Sequence, residues 1–384
     1  MEKIIYVDHS ATTPVKKEVL DEMLPYFNFN FGNASSSYSI GRVSKAAIEK
    51  SRSQVAQAIN CKKNEVYFTS GGSEADNMII RGIAKANIKK GNHIITTKIE
   101  HMAVLNTCKM LEKEGFEVTY LNVDANGKIH IDELEAAIKP TTILISIMYA
   151  NNEIGTIQPI EQIGNIAKAH SIYFHSDAVQ AVGNLHIDVN KSNIDALSIS
   201  AHKFYGPKGV GVAYIKEEIK FIPLINGGHQ EKSMRAGTEN VAGIIGLGKA
   251  IEIATKNIDN YSEKLTKLRD LFIYKTKMIC PGIKVNGDLK NRLPGNINIS
   301  IPNIDSLNVL LLFDMNGICA SSGSACNTGV DSPSHVLSAI GLSDIYSKCS
   351  IRISLGQENT LEEIEYILNI LSNVIKKTNC MNKY

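Results

Sequence analysis

Lys203 sets the chemistry open to this chain. It stands in Ser200-Ala201-His202-Lys203-Phe204-Tyr205-Gly206-Pro207-Lys208-Gly209-Val210-Gly211, directly after the apolar, strand-like run Ile194 to Ile199. A lysine amine at a strand end can form a Schiff base with a carbonyl compound when its site lowers its pKa. The Ser200 hydroxyl and the His202 imidazole beside it can grip a phosphate. Taken alone, a lysine before a turn is more often a solvated surface group. Residues at other strand ends shift the reading toward pyridoxal phosphate (PLP).

PLP makes three demands. Its phosphate needs amides and hydroxyls, best supplied at a helix N-terminus, and Phe68-Thr69-Ser70-Gly71-Gly72-Ser73-Glu74 offers a strand, a glycine turn and a helix start. Simple capping by Ser73 would explain the same residues. The ring nitrogen needs a carboxylate, and Asp177 follows the strand-like Ile172 to His175; Gln180 stands within reach of the ring's phenolic oxygen. Asn152 ends another strand and offers an amide to the same ring. Proton transfer needs a group titrating near neutrality, and His101, just beyond the run ending at Thr97, is placed to lie over the ring face.

A second reactive centre lies far along the chain. Cys326 sits in Ser321-Ser322-Gly323-Ser324-Ala325-Cys326-Asn327-Thr328-Gly329, a composition suited to a surface loop. A thiol there is exposed and nucleophilic, unlike a packed cysteine.

These residues need a scaffold that gathers strand ends. Strand-like runs at Glu65 to Thr69, His93 to Thr97, Glu117 to Leu121, Thr142 to Tyr149, Ile172 to His175 and Gly211 to Tyr214 alternate with helical patterns at Ser73 to Lys89, Ala103 to Glu114 and Ile131 to Ile138. Such alternation predicts an α/β fold with a mostly parallel sheet covered on both faces, its ligands beyond the strands' carboxyl ends. Helical spacing from Glu239 to Ile279 predicts one long connecting element. It leads into a smaller α+β domain with strands at Ile297 to Ile301 and Ile351 to Leu355 and helices at Ser306 to Met315 and Thr360 to Lys376. The expected division is 15–255 for the large domain, with 1–14 and 256–384 forming the small one.

At 384 residues the chain exceeds one ordinary core, and 43% hydrophobic with 21% charged residues describes a globular protein. A net charge of +2 gives no reason to invoke nucleic acid or membrane. The short apolar start at Met1 to Asp8 is not a signal peptide, so the expected setting is cytoplasmic. Seven scattered cysteines without a Cys-x-x-Cys pair argue against a disulfide framework and against a metal site. Gly243 to Ala250 nearly matches a P-loop but has Ala250 where a hydroxyl should bind magnesium, and it lies in a helical pattern.

Three segments together carry a family resemblance: Ser-Gly-Ser-Ala-Cys ending at Cys326, Asn-Asn-Glu-Ile-Gly at 151 to 155, and Arg-Ala-Gly-Thr-Glu-Asn at 235 to 240. The chain resembles the cysteine desulfurases of the class-V aminotransferase family. Within them it is similar to the long-loop group (group I) of iron–sulfur cluster assembly, from Tyr6 through Gly356. The resemblance implies a PLP-dependent transferase of fold type I (aspartate-aminotransferase-like), working as a homodimer on L-cysteine. It implies Lys203 as the cofactor lysine, His101 as acid–base, Asp177 at the ring nitrogen, and Gln180 and Asn152 at the phenolic oxygen. Gly72, Ser73, Ser200 and His202 would hold the phosphate, with Thr238 supplied by the partner subunit, and Arg352 with Asn33 would bind the substrate carboxylate. Cys326 would take the sulfur as a persulfide and pass it to an acceptor protein, a cluster scaffold or a tRNA-thiolating enzyme.

Departures from the family pattern are Ala34 and Tyr38, where many members have Pro and His, and His229, where a third glycine is common. The chain stops at Tyr384, short of the tail some relatives use to dock a cluster scaffold, so docking by that route is not expected. An aminotransferase would need Lys203 and Asp177 but not Cys326. A regulatory protein that keeps the fold would need neither nucleophile. Selenocysteine lyase activity would use the same groups.

Overall fold

The computed structural model describes residues 4–322 and 334–381, with side chains through residue 376. Cys326 therefore lies outside the described residues. In chain order the strands are β1 (Ile5–Tyr6), β2 (Val66–Thr69), β3 (His93–Thr97), β4 (Glu117–Leu121), β5 (Thr142–Ser146), β6 (Tyr173–Asp177), β7 (Ala196–Ser200), β8 (Gly211–Ile215), β9 (Lys284–Val285), β10 (Asn296–Ser300), β11 (Ile318–Cys319) and β12 (Ser350–Ser354).

Seven of them form one sheet in the order β2-β8-β7-β6-β5-β3-β4. Only β8 runs against its neighbours there; the other pairings are parallel. Strands β5, β7 and β8 are buried along their whole length, which explains their largely apolar composition. Side chains still alternate between faces. On β8, Val212 and Tyr214 join one apolar layer and Ala213 and Ile215 the other. The helix Gly72–Asn87 covers the second layer through Met78, Ile79 and Ile83.

A separate core gathers Ile5 and Val7 with residues from Leu265 to Ile375 around the antiparallel sheet β12-β10-β9. The N-terminal strand β1 pairs with β11, in parallel, which places the start of the chain in this second core. The predicted long element at 239–279 is two helices, Val241–Lys256 and Ile258–Ile279, broken at Asn257 (φ −128°, ψ 25°). The P-loop-like segment lies inside the first of them, as its helical pattern requires. Among the described residues no helix is long and apolar enough to cross a membrane, and no cluster of ligating side chains could hold a metal ion.

Candidate active site

The carboxyl ends of β6 and β7 open into one cavity of about 390 Å³. Adjacent parallel strands bring their ends together: Asp177 closes β6 opposite Ser198 of β7, and Lys203 stands three residues after β7's last residue, Ser200, with Ala201 and His202 between. Gly72, Ser73, His101, Asn152, Asp177, Gln180, Ser200, His202, Lys203 and Arg352 line this cavity, ten of the twelve described residues singled out from the sequence. Thr238 and Asn33 do not. Thr238 is exposed on a neighbouring cleft with Arg235 and Glu239. Asn33 is exposed, its Oδ1 accepting the Ser35 amide (2.9 Å).

Each lining group is held by a local reason. Lys203 Nζ donates to the carbonyls of Ser10 (2.6 Å) and Ala11 (2.7 Å). Gln180 Nε2 donates to the same Ser10 carbonyl (3.0 Å). His101 begins the helix Met102–Lys113, its Nδ1 accepting the Ala103 amide (3.2 Å). The His202 ring meets Thr12 Oγ1 (3.1 Å), and burial, with Lys203 and Lys208 nearby, lowers its pKa to about 4. It is thus a neutral imidazole at physiological pH. Arg352, on β12, is buried and donates to Asp8 Oδ1 (2.7 Å) and to the Asn152 carbonyl (3.2 Å).

The floor of the cavity is acidic and buried. The Asp177 carboxylate accepts the Val179 amide (2.9 Å). Burial raises its pKa, while His101 and Lys203 pull it down. Asp76, from the helix Gly72–Asn87, lines the same floor, its Oδ1 without a hydrogen bond among the described residues and 3.7 Å from His175 Nε2. Burial first, then the charge of Asp177, pushes its pKa well up. Beneath them His175 bridges Ser146 (2.9 Å) and Ser198 (3.0 Å), and burial lowers its pKa to about 3. Glu100 accepts the Met148 amide and the Thr97 hydroxyl; burial carries it to about 8.

PLP fits these residues. An anionic group can meet the start of the helix Gly72–Asn87, which lacks a side-chain cap and where a Cβ at Gly72 would come within 2.6 Å of Val179. A protonated ring nitrogen can meet the buried Asp177 carboxylate, and a carbonyl can meet the Lys203 amine.

Asp8, Asp76, Glu100 and Glu153 went unmarked in the sequence reading. Asp76 and Glu100 carry no signal of their own: one is inside a helix and the other in an ordinary turn. Asp8 did have one, a carboxylate at the end of an apolar run followed by Ser10-Ala11-Thr12-Thr13-Pro14. Glu153 lines the cavity, accepts the Ser334 hydroxyl (2.5 Å) and is lifted by burial to about 7. Among the described cysteines, all free, Cys108 and Cys349 are buried, while Cys61, Cys280 and Cys319 are half-buried.

The chain belongs to the class-V aminotransferase family, whose members depend on PLP; the match, described as Aminotransferase class-V, covers residues 5–367. Among individual proteins it is similar to a "Cysteine desulfurase IscS" of Clostridium botulinum (strain Hall), 55% identical over 379 residues, covering 98% of this chain and 96% of that protein. Of solved structures, a "NIFS-LIKE PROTEIN" superposes with a TM-score of 0.92 at 37% identity, covering 97% of this chain and all (100%) of that one. "SspA in complex with cysteine" superposes with a TM-score of 0.82 at 38% identity, covering 93% of this chain and 100% of that one.

Proposed function

We propose that the chain is a PLP-dependent cysteine desulfurase in which Lys203 carries the cofactor, Arg352 holds the substrate carboxylate and Cys326 accepts the sulfur. The observation that carries this reading is the gathering of Lys203, Asp177, His101 and Arg352 around one cavity. Relatives named cysteine desulfurase match nearly the whole chain, which supports the same assignment.

Bound there, PLP supplies an electron sink for negative charge on the carbon next to the substrate's amine. The protein's part is to hold and to move protons. Asp177 would face the ring nitrogen, where a protonated ring would add to the pull that His101 and Lys203 exert on its carboxylate against the cost of burial. His101 gives and takes protons at its imidazole. Ser73, Ser200, His202 and Gly72 hold the phosphate, while Gln180 and Asn152 address the phenolic oxygen side. The Cys326 thiolate attacks the sulfur of L-cysteine. The C–S bond breaks with its electron pair left on the substrate's β-carbon, that carbon gains a proton to give L-alanine, and the transferred sulfur stays on Cys326 as a persulfide. An acceptor protein, a cluster scaffold or a tRNA-thiolating enzyme, then takes it.

The same reading divides the chain at 15–255 against 1–14 with 256–384, supported by the separate core that Ile5 and Val7 share with the C-terminal third. It also makes the enzyme a homodimer. Leu24, Phe27, Phe29 and Phe31 form an exposed apolar patch suited to a second copy, and Thr238 stands exposed outside its own chain's cavity, free of any duty there.

Cys326→Ser in the holoenzyme tests the reading with L-cysteine as substrate. Alanine and sulfide formation should fall by at least about 100-fold, while the cofactor's visible absorbance stays in place. Undiminished alanine and sulfide from the variant would exclude Cys326 as the sulfur acceptor, whereas a 2-oxo acid that keeps its sulfur, in place of alanine, would make an aminotransferase the better account.

A further inference from the structure

One turn near the start of the chain touches both groups that the substrate must reach. Asp8 Oδ1 accepts from Arg352 Nη2 (2.7 Å), and the carbonyls of Ser10 and Ala11 accept from Lys203 Nζ. The turn is tight: the Ala11 amide donates to the Asp8 carbonyl (3.0 Å), and the Tyr6 hydroxyl donates to both the Asp8 (3.0 Å) and Thr12 (2.9 Å) carbonyls.

The Asp8 carboxylate is not needed to keep this segment in place. Backbone bonds do that: His9 to the Ser354 carbonyl (3.1 Å), Ser354 to the Val7 carbonyl (2.8 Å), and the Ser10 amide to Ser354 Oγ (2.8 Å). Its side chain instead spends its charge on one guanidinium. That guanidinium has five N–H donors. Among the described residues it meets Asp8 and the Asn152 carbonyl, and Nε has no partner. The side chain of Arg352 is 3% exposed and that of Asp8 16%, so the pair sits at the cavity's edge with the cation on the inner side. A buried, half-satisfied guanidinium is the donor set that a carboxylate ligand completes.

We propose that Asp8 is a positioning residue for the carboxylate subsite: it fixes the Arg352 guanidinium beside the cavity, and the turn it begins sets the span from that guanidinium to Lys203. This rests on Arg352 as the carboxylate-binding group. An α-amino acid presents its amine and its carboxylate from one carbon. A single turn that holds both receiving groups therefore measures that spacing directly.

The test compares L-alanine with ethylamine, which is L-alanine without its carboxylate, as ligands of the holoenzyme, with affinities taken by calorimetry. Asp8→Ala should weaken L-alanine by about tenfold and leave ethylamine within about twofold. Asp8→Asn, which keeps an acceptor without the charge, should fall between it and the parent. A parallel loss of both ligands would show a merely structural role and overturn the proposal, as would unchanged L-alanine affinity in Asp8→Ala while Arg352→Lys loses it. If Arg352→Lys also binds L-alanine like the parent, the assignment of Arg352 fails, and the proposal built on it falls with it.

Discussion

The floor and the wall of the cavity handle charge in opposite ways. On the floor, Asp76 and Asp177, with Glu100 nearby, are buried, and desolvation raises the pKa of each. On the wall, Asp8 and Arg352 form a close ion pair at 2.7 Å. A floor of that kind holds protons until a cationic ring arrives, and one ionised carboxylate then becomes worth its desolvation. A wall of that kind holds a charge already balanced, which an incoming carboxylate can share without a lone cation having waited in a dry site. The difference separates two tasks that one substrate imposes: stabilising charge that develops during reaction, and recognising charge already present.

The sharpest way to break this contrast is Asp177→Asn. With the floor's ionised group gone, alanine formation should fall by about 10³-fold. Unfolding of the chain without cofactor should need no less denaturant, because a carboxylate that is costly to desolvate has been removed. A variant that lost stability and kept its rate would reverse the assignment of floor and wall.

The wall should respond as a pair. Asp8→Ala and Arg352→Met each leave an unmatched charge, whereas the double change leaves none. A coupling energy of about 2 kcal/mol in denaturant unfolding is expected from the double-mutant cycle. Simple additivity would mean that the pair is solvated in practice.

The smallest effect concerns pH. The folded chain holds a proton on Glu100 up to about 8, whereas an ordinary glutamate releases it near 4.5. Folding therefore takes up a proton in that window. This contribution to stability is complete below about 4.5 and is lost as pH rises through about 8. Glu153, raised to about 7, slopes the same way. The melting temperature should fall by a few degrees from about pH 5 to pH 9, and Glu100→Gln should flatten part of that fall. An equal slope in the variant would place the titration elsewhere.

What could be read beforehand follows the range of the interactions involved. The strands of the large sheet were legible because burial on both faces leaves continuous apolar runs, and His93–Thr97 and Glu117–Leu121 fall where the pattern puts them. Lys203, Asp177 and His101 were legible because reactive groups at strand ends stand out against such runs. The break at Asn257 was not, since neither glycine nor proline marks it and the apolar spacing continues across. The strands β1, β9 and β11 have two residues each, too few to show a period. Asp8 and Arg352 are 344 positions apart, and only the register Asp8 to Ser354 brings them together. Asp76 reads as one more polar residue of an amphipathic helix until the burial around it is known.

The joining of the chain's beginning to β11 and β12 has a consequence for synthesis. A polypeptide emerging from the ribosome holds its lysine and its acidic floor early, yet Tyr6 to Ala11 has no sheet to lie against until some three hundred later residues have followed. Nascent protein can thus fold its larger half and still be unable to seat an amino acid, so sulfur chemistry starts only on finished molecules.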